Sequence, residues 1–101
     1  MTSPRSSNKK RPLRLQLFIA GDAPNSVSAL RNLRTFLSAH AVEAELEIID
    51  VMKRPELGLR ANVLVTPTMI RLAPPVERRI IGNLQNKDAL LSLLELAEER
   101  E

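Results

Sequence analysis

Two segments with strand periodicity flank one segment with helical periodicity in the first half of the chain. From Leu13 to Ala20, large apolar residues stand at every second position, which is the period of a β-strand. Phe18 adds an apolar residue on the opposite face, which predicts an interior strand. Residues 44–51 also have the composition of a strand. One helix between two strands favours a right-handed crossover and parallel pairing. The helical segment has apolar residues at spacings of three and four: Val27, Leu30, Leu33, Leu37 and Ala41.

The second half of the chain predicts a short helix and a third strand. Pro55 suits the first turn of a helix over residues 55–61, because the N–H that proline lacks has no helical partner there. A third strand is expected at residues 69–72. Pro67 stands at the start of this strand, where proline is tolerated, and a cis bond after Thr66 is compatible with that place.

A hairpin and a final helix complete the predicted order. Pro74 and Pro75 turn the chain into a fourth strand at residues 78–81. Asn86 is positioned to cap a helix over residues 87–99. The order βαβ, α, ββα is typical of a thioredoxin-like α/β fold, with a mixed sheet and helices on both faces.

The turn between the first strand and the first helix is where thioredoxin-like enzymes carry their redox cysteines. Gly21 and Pro24 are expected to set its backbone, and Asp22 or Asn25 can cap the helix. The chain contains no cysteine, so thiolate chemistry, disulfides and cysteine-ligated zinc are excluded. This composition suits a reducing compartment, and we expect a soluble cytoplasmic protein.

Basic charge is concentrated at the N-terminus. Residues 1–14 carry five basic and no acidic side chains, so residues 15–101 carry ten of the 15 basic and all 12 acidic residues. Residues 1–12 also lack apolar periodicity, which predicts a disordered basic arm before one domain over residues 13–101. With two Phe and no Trp or Tyr, specific nucleic-acid binding is not expected. No apolar run is long enough for a membrane span.

The sequence contains no convincing catalytic constellation. His40 is the one histidine, and it lies at the far end of the helix that Ser26 begins, about 20 Å away. A transferase that uses Ser26 would therefore lack an activating base. Glu43, Glu45 and Glu47 share one face of the second strand, which favours a solvated, partner-facing strand over a cation site. We expect no enzymatic activity, no cofactor and no metal.

Five short segments carry a combined signature: residues 18–21, 24–26, 49–51, 66–68, and 74–82 with its Pro-Pro and Arg-Arg pairs. Together they resemble the KaiB family of circadian-clock proteins over about residues 13–97. The resemblance implies a non-enzymatic adaptor that binds the N-terminal ATPase ring of the hexameric ATPase KaiC and modulates its phosphorylation cycle or ATPase timing. It also implies metamorphism between the thioredoxin-like fold and a tetrameric ground-state fold, with a dimer or tetramer as the free form.

The resemblance also suggests which residues matter. Leu93 stands where many relatives have glycine, which favours the last helix by roughly 0.5 to 1 kcal/mol and predicts a bias toward the thioredoxin-like state. Adjacent arginines on a strand point to opposite faces, so at least one reaches solvent or an acidic partner. Expected partner contacts are Arg31, Arg60, Arg78, Arg79, Glu45 and Glu47. Expected fold determinants are Gly21, Pro24, Pro67, Pro74, Pro75, Gly82 and Leu93.

Two further points concern the partner, namely whether the chain recruits KaiA and whether it acts with a histidine kinase instead of KaiC. Glu45 and Glu47 fall where relatives have neutral or basic side chains on the strand that meets KaiA, which argues against recruitment of KaiA. The second hypothesis for function is a sensory or adaptor domain that acts with a histidine kinase, like the N-terminal domain of SasA. No kinase domain follows in this sequence, so the standalone adaptor is preferred.

Overall fold

The computed structural model describes the backbone of residues 13–98 and the side chains of residues 13–93. The predicted basic arm and the end of the predicted domain, residues 99–101, lie outside the described residues. Within the described range, no helix has the length and apolar content needed to cross a bilayer.

The predicted order of elements is confirmed. The elements are β1 (Leu13–Ile19), α1 (Pro24–Ala39), β2 (Ala44–Asp50), α2 (Pro55–Arg60), β3 (Thr68–Ala73), β4 (Arg78–Ile81) and α3 (Lys87–Glu98). The fourth strand has the predicted bounds. β1, β2 and α2 end one residue earlier than predicted, and β3 is one residue longer at each end. The predicted last residue of α3, Glu99, lies outside the described residues.

The four described strands form one mixed sheet in the order β2, β1, β3, β4. β1 pairs in parallel with β2, with Leu13 opposite Ala44. β1 and β3 are antiparallel, as are β3 and β4. The parallel crossover expected from the first half of the sequence is therefore confirmed, and β1 lies inside the sheet.

Two apolar clusters lie on opposite faces of the sheet. The larger cluster packs α1 and α3 on one face and includes Leu15, Leu17 and Leu33. The smaller cluster contains Phe18 and Ile70 and packs against residues of α2. Helices thus cover both faces, as predicted, and Phe18 points away from its leucine neighbours because strand side chains alternate.

The predicted contact face of α1 is wrong by about one residue. Val27 was expected in the buried stripe, yet it is 45% exposed, whereas Ser26, Ala29 and Phe36 are buried together with Leu33. Leu30 and Leu37 are only partly buried. Alanine at the buried face lets the helix lie close to the sheet, and Leu30 and Leu37 pack against the edge of the larger cluster.

The two helix caps have different outcomes. Neither Asp22 nor Asn25 caps α1, because the helix begins at Pro24 and its N-cap is Ala23, which makes no side-chain cap bond. Proline fixes its φ in the helical range and so starts the helix before Asn25. At α3 the prediction is confirmed: the Asn86 Oδ1 accepts a hydrogen bond from the Ala89 N–H at 3.1 Å.

The prolines and glycines of the second half shape the hairpin. The bonds before Pro67 and Pro74 are cis, and Pro67 stands directly before β3. Gly82 has a φ of +116°, a conformation that side-chain-bearing residues rarely adopt. Its N–H donates to the Pro67 carbonyl at 2.9 Å, which joins the end of β4 to the start of β3.

Arg71 is a buried charge inside the fold that the sequence patterns did not predict. Its side chain is 1% exposed on the α1 and α3 side of β3. Nη1 donates to the Leu93 carbonyl at 3.1 Å, and Nη2 donates to the Val76 carbonyl at 2.7 Å. Burial lowers the pKa of the Arg71 guanidinium, and the charge of Arg78 lowers it further by a smaller amount. The group still keeps its proton, because arginine titrates far above neutrality. Arg71 therefore ties the β3 to β4 turn to α3.

We predict that Leu93→Gly destabilises the protein strongly. Leu93 is buried in the larger cluster, so the change adds a cavity to the loss of helix propensity and should lower the free energy of unfolding by about 3 to 6 kcal/mol. Ser92→Gly is the matched control, because Ser92 is exposed and loses only propensity. Urea denaturation measures both, and equal losses would show that Leu93 contributes no packing.

We predict that Arg71→Lys lowers the free energy of unfolding by about 1 to 3 kcal/mol. A lysine cannot reproduce the planar guanidinium that bonds the Leu93 and Val76 carbonyls together. Arg31→Lys, on the exposed face of α1, is the control and should have little effect. The same urea midpoint for both variants would contradict the role of Arg71.

Candidate interaction surface

The turn after β1 is organised by Asp50 at the end of β2. The Asp50 Oδ1 accepts hydrogen bonds from the Gly21 and Met52 N–H groups, each at 2.9 Å. These two bonds hold the pKa of the Asp50 carboxyl below its ordinary value, and the bond from Gly21 has the larger effect. Gly21 has a φ of +55°, which glycine adopts without strain. The turn is thus fixed by a carboxylate at the place where a redox enzyme would have thiols.

Ser26 and His40 have local structural contacts. The Ser26 hydroxyl is buried and accepts a hydrogen bond from the Ala20 N–H at 3.0 Å, which joins the end of β1 to the start of α1. The His40 Nδ1 lies 3.0 Å from the Phe36 carbonyl, and the ring contacts that of Phe36 with centroids 4.3 Å apart. The two side chains stand at opposite ends of α1, as predicted.

Within the residues that the structure describes, no group of three or more acidic or histidine side chains is placed to hold a metal ion. Glu45 and Glu47 instead bond to neighbours on β1. Glu45 forms an ion pair with Arg14 at 3.2 Å, and Glu47 accepts a hydrogen bond from the Gln16 amide at 3.0 Å.

An exposed apolar patch lies between α2 and β3. Leu59 is 76% exposed, Leu64 is 90% exposed and Val65 is 50% exposed. Ile81 of β4, also largely exposed, pairs with Thr68, whose hydroxyl donates to the Val65 carbonyl. We call these four residues the α2–β3 patch: Leu59, Leu64, Val65 and Ile81. Leu64 and Val65 adjoin in sequence, and Thr68 links Val65 to Ile81. Exposed apolar groups of this kind are typical of protein interaction sites.

Backbone contacts hold α2 and the following loop in place. A Cβ at Gly58 would lie 3.1 Å from the Val51 side chain, so this glycine allows α2 to lie close to the end of β2. The Val63 N–H donates to the Gly58 carbonyl at 2.9 Å, and Asn62 takes a φ of +58°, which ends the helix. Val63 then packs against the smaller cluster, while Leu64 projects outward.

Arg79 joins β4 to this loop. Its guanidinium donates to the Asn62 carbonyl at 3.2 Å and to the Ala61 carbonyl, and it pairs with Glu77 at 3.4 Å. Arg79 therefore positions the α2–β3 patch.

The six predicted partner residues do not form one site. Arg60, at the end of α2, and Arg79 both adjoin the α2–β3 loop. Arg78 lies on the other face of the sheet, where it pairs in register with Arg71, so the expected alternation of the two arginines is present. Arg31 is exposed on α1, and Glu45 and Glu47 lie on β2.

Sequence patterns did not identify the α2–β3 patch. The three successive apolar residues 63–65, in a loop bounded by Asn62 and Thr66, were the available signal. Such a run is compatible with a buried strand, and periodicity does not separate a buried residue from an exposed one in so short a segment.

We predict that the stability contributed by Asp50 is lost at acid pH. Its folded pKa is lowered, so the contribution is complete above the unfolded value, about 3.9, and disappears as the pH falls through the folded pKa. Asp50→Ala should be less stable than the wild type at pH 7, and the difference should shrink as the pH falls below 4. Asp22→Ala, an exposed change in the same turn, is the control. A pH-independent difference measured by urea denaturation would contradict the prediction.

The structure is similar to thioredoxin-like proteins of known structure. The N-terminal domain of Synechococcus elongatus SasA superimposes with a TM-score of 0.73 at 24% identity, covering 100% of this chain and 96% of that one. A mutant thioredoxin from Halobacterium salinarum gives a TM-score of 0.72 at 24% identity, covering 93% of this chain and 81% of that one. These similarities confirm the predicted thioredoxin-like fold.

Sequence relatives identify the family. The circadian clock oscillator protein KaiB of Thermostichus vulcanus is 44% identical over 87 residues, which cover 84% of this chain and 80% of the relative. The KaiB of Parasynechococcus marenigrum is 43% identical over 84 residues, which cover 81% and 80%. The family model for the KaiB domain matches residues 16–96. The chain therefore belongs to the KaiB family of circadian-clock proteins.

Proposed function

We propose that this chain is a non-enzymatic clock regulator that binds the N-terminal ATPase ring of a KaiC-type hexamer and changes the timing of its phosphorylation or ATPase cycle. Membership of the KaiB family supports this role. The α2–β3 patch is the observation that carries the binding site: Leu59 and Leu64 are large apolar side chains that contribute little to the core of the free chain.

Charged side chains next to the patch are placed to form the polar periphery of an interface. Arg60 is exposed at the last turn of α2, next to Leu59, and the Arg79 guanidinium lies against the same loop. Interfaces commonly place apolar anchors at the centre and charged side chains at the periphery. We therefore assign the anchors to Leu59 and Leu64, a peripheral contact to Arg60, and a positioning role to Arg79.

The remaining predicted contacts lie away from this surface. Glu45 and Glu47 are exposed on β2, and their charge supports the proposal that the chain does not recruit KaiA. Arg31 and Arg78 face other directions, so we propose that neither contributes to the central contact with the ATPase ring.

We propose that the thioredoxin-like state is also the state that binds. The patch depends on α2 ending at Asn62 and on the bonds from Arg79 of β4, and both belong to this arrangement of the chain. Burial of Leu93 in the larger cluster supports a preference for the same state in the free protein. Light scattering of the free protein distinguishes a monomer from the dimer or tetramer that the family resemblance implies.

We predict that Leu64→Asp weakens binding to a KaiC-type hexamer by about tenfold or more, because a charge would be buried at the centre of the interface. The measurement is size-exclusion co-elution with the hexamer of the same organism in the presence of ATP, followed by titration. Leu64 is 90% exposed, so the variant should keep its fold. Val76→Asp is the matched control, because Val76 is an exposed apolar residue in the turn that follows the opposite end of β3.

Two results would contradict the proposal. If the wild-type chain does not co-elute with the hexamer, the partner is wrong. If Leu64→Asp and Val76→Asp bind equally, the α2–β3 patch is not the contact surface. Arg79→Glu is a weaker probe than Leu64→Asp, since the lost bonds to the loop would displace the patch as well as remove a charge.

A further inference from the structure

β2 is an edge strand with an open face beside it. In the sheet order it has β1 on one side and no described strand on the other, so the outward N–H and C=O groups of β2 are free to pair within the described part of the chain. On the α2 side of the sheet, the smaller cluster includes Phe18 and Ile49, which lie at the end of β1 and β2 nearest to α2. The beginning of both strands on this face is polar, and most of it is exposed.

Negative charge accumulates along this open beginning of β2. Glu43, Glu45 and Glu47 are all exposed, and we call them the β2 strip. The charge of Arg14 neutralises that of Glu45. Glu47 accepts a hydrogen bond from the Gln16 amide, which carries no charge and so leaves the charge of Glu47 uncompensated. Three carboxylates and one guanidinium leave the strip with a net charge of about −2.

Other carboxylates of the described residues have closer partners or lie far from the start of β1. Glu56 pairs with Arg54 at 3.0 Å, and Glu77 pairs with Arg79. Asp50 accepts two backbone N–H groups. Asp22 follows the opposite end of β1, about 20 Å or more along the strand from Leu13. Asp88 lies in the first turn of α3, which packs on the other face of the sheet. Among the described carboxylates, the strip is therefore the uncompensated acidic surface on the α2 side of the sheet that adjoins the start of β1.

The basic arm enters the fold beside this strip. Leu13, the first residue of β1, pairs in register with Ala44, which lies between Glu43 and Glu45. An extended chain spans at most about 3.3 Å per residue, so the chain can extend about 7 Å from Leu13 at residue 11 and about 13 Å at residue 9. Arg5 reaches about 26 Å, which exceeds the length of β2. The cations of the arm can thus reach every carboxylate of the strip.

We propose that residues 1–12 of this chain bind to the outer edge of β2, with their basic side chains on the β2 strip. The arm carries Arg5, Lys9, Lys10 and Arg11 and no acidic residue, which complements the charge of the strip. Because the arm is covalently attached beside its site, binding is intramolecular and needs only weak contacts. The bound arm covers the exposed edge of the sheet and so prevents other chains from pairing with it. The ion pairs are solvent-exposed, so the interaction is sensitive to salt.

Paramagnetic relaxation enhancement tests this assignment on the full chain. The chain has no cysteine, so Ser6→Cys carries a single nitroxide label at a defined place in the arm. In nitrogen-15-labelled protein, the amide signals of residues 43–48 should lose intensity relative to the reduced label. Those of residues 78–81, on the opposite edge about 14 Å across the sheet, should lose much less. In 1 M salt, where the Debye length is about 3 Å, the intensity of residues 43–48 should return.

Charge variants provide the matched comparison. Glu45→Gln with Glu47→Gln should restore the amide signals of β2 in the labelled protein, since it removes two carboxylates of the strip. Glu56→Gln with Glu77→Gln removes two carboxylates elsewhere and should leave the intensity loss unchanged. All four side chains are exposed, so the fold should be retained.

Three results would overturn the proposal. Equal intensity loss on both edges of the sheet would show that the arm has no preferred site. The same effect from both double variants would show that the strip does not attract it. Intensity loss transferred to nitrogen-15-labelled protein by a spin-labelled, unenriched chain would assign the arm to a second copy.

Discussion

The burial of β1 on both faces is the constraint on which the rest of the structure depends. Leu15 and Leu17 lie in the cluster beneath α1 and α3, and Phe18 lies in the cluster beneath α2. A one-residue slip of a strand exchanges its two faces, which would move the leucines out of their cluster and Phe18 into it. The register of β1 with β2 and β3 is therefore fixed by apolar burial. Every other element is placed relative to this strand, including the helix and loop that form the interaction surface.

Polar contacts from β3 and β4 add a second level of organisation. Arg71 bonds the turn after β3 and the backbone of α3 on one face of the sheet, and Arg79 bonds the loop after α2 on the other. Arg71 occupies its position at a cost, since arginine loses hydration when buried and carbonyl acceptors recover only part of it. Arg79 remains partly exposed to solvent. This arrangement holds the α2–β3 patch against the sheet while its apolar side chains remain outside the core.

Several parts of the fold could be predicted because the signal was local. β4 has the predicted bounds, and the Asn86 cap depends on one side chain and the helix that follows it. The face of α1 could not be predicted to the residue, because Val27 and Ala29 both fit an apolar stripe and contact with the sheet decides between them. The candidate site was predicted only in part: Arg60 and Arg79 adjoin it, but its exposed leucines were indistinguishable in sequence from buried ones.

By itself, the sequence determined the order of elements, the absence of thiol chemistry and the family resemblance, because each follows from residue types and their spacing. Only the tertiary structure decided that Arg71 is buried, that the adjacent Arg78 and Arg79 serve different faces, and that Leu64 is exposed. Burial and pairing depend on which distant segments lie against a residue. Residues separated by long stretches of chain, such as Ala61 and Arg79, meet only after the sheet and helices have packed.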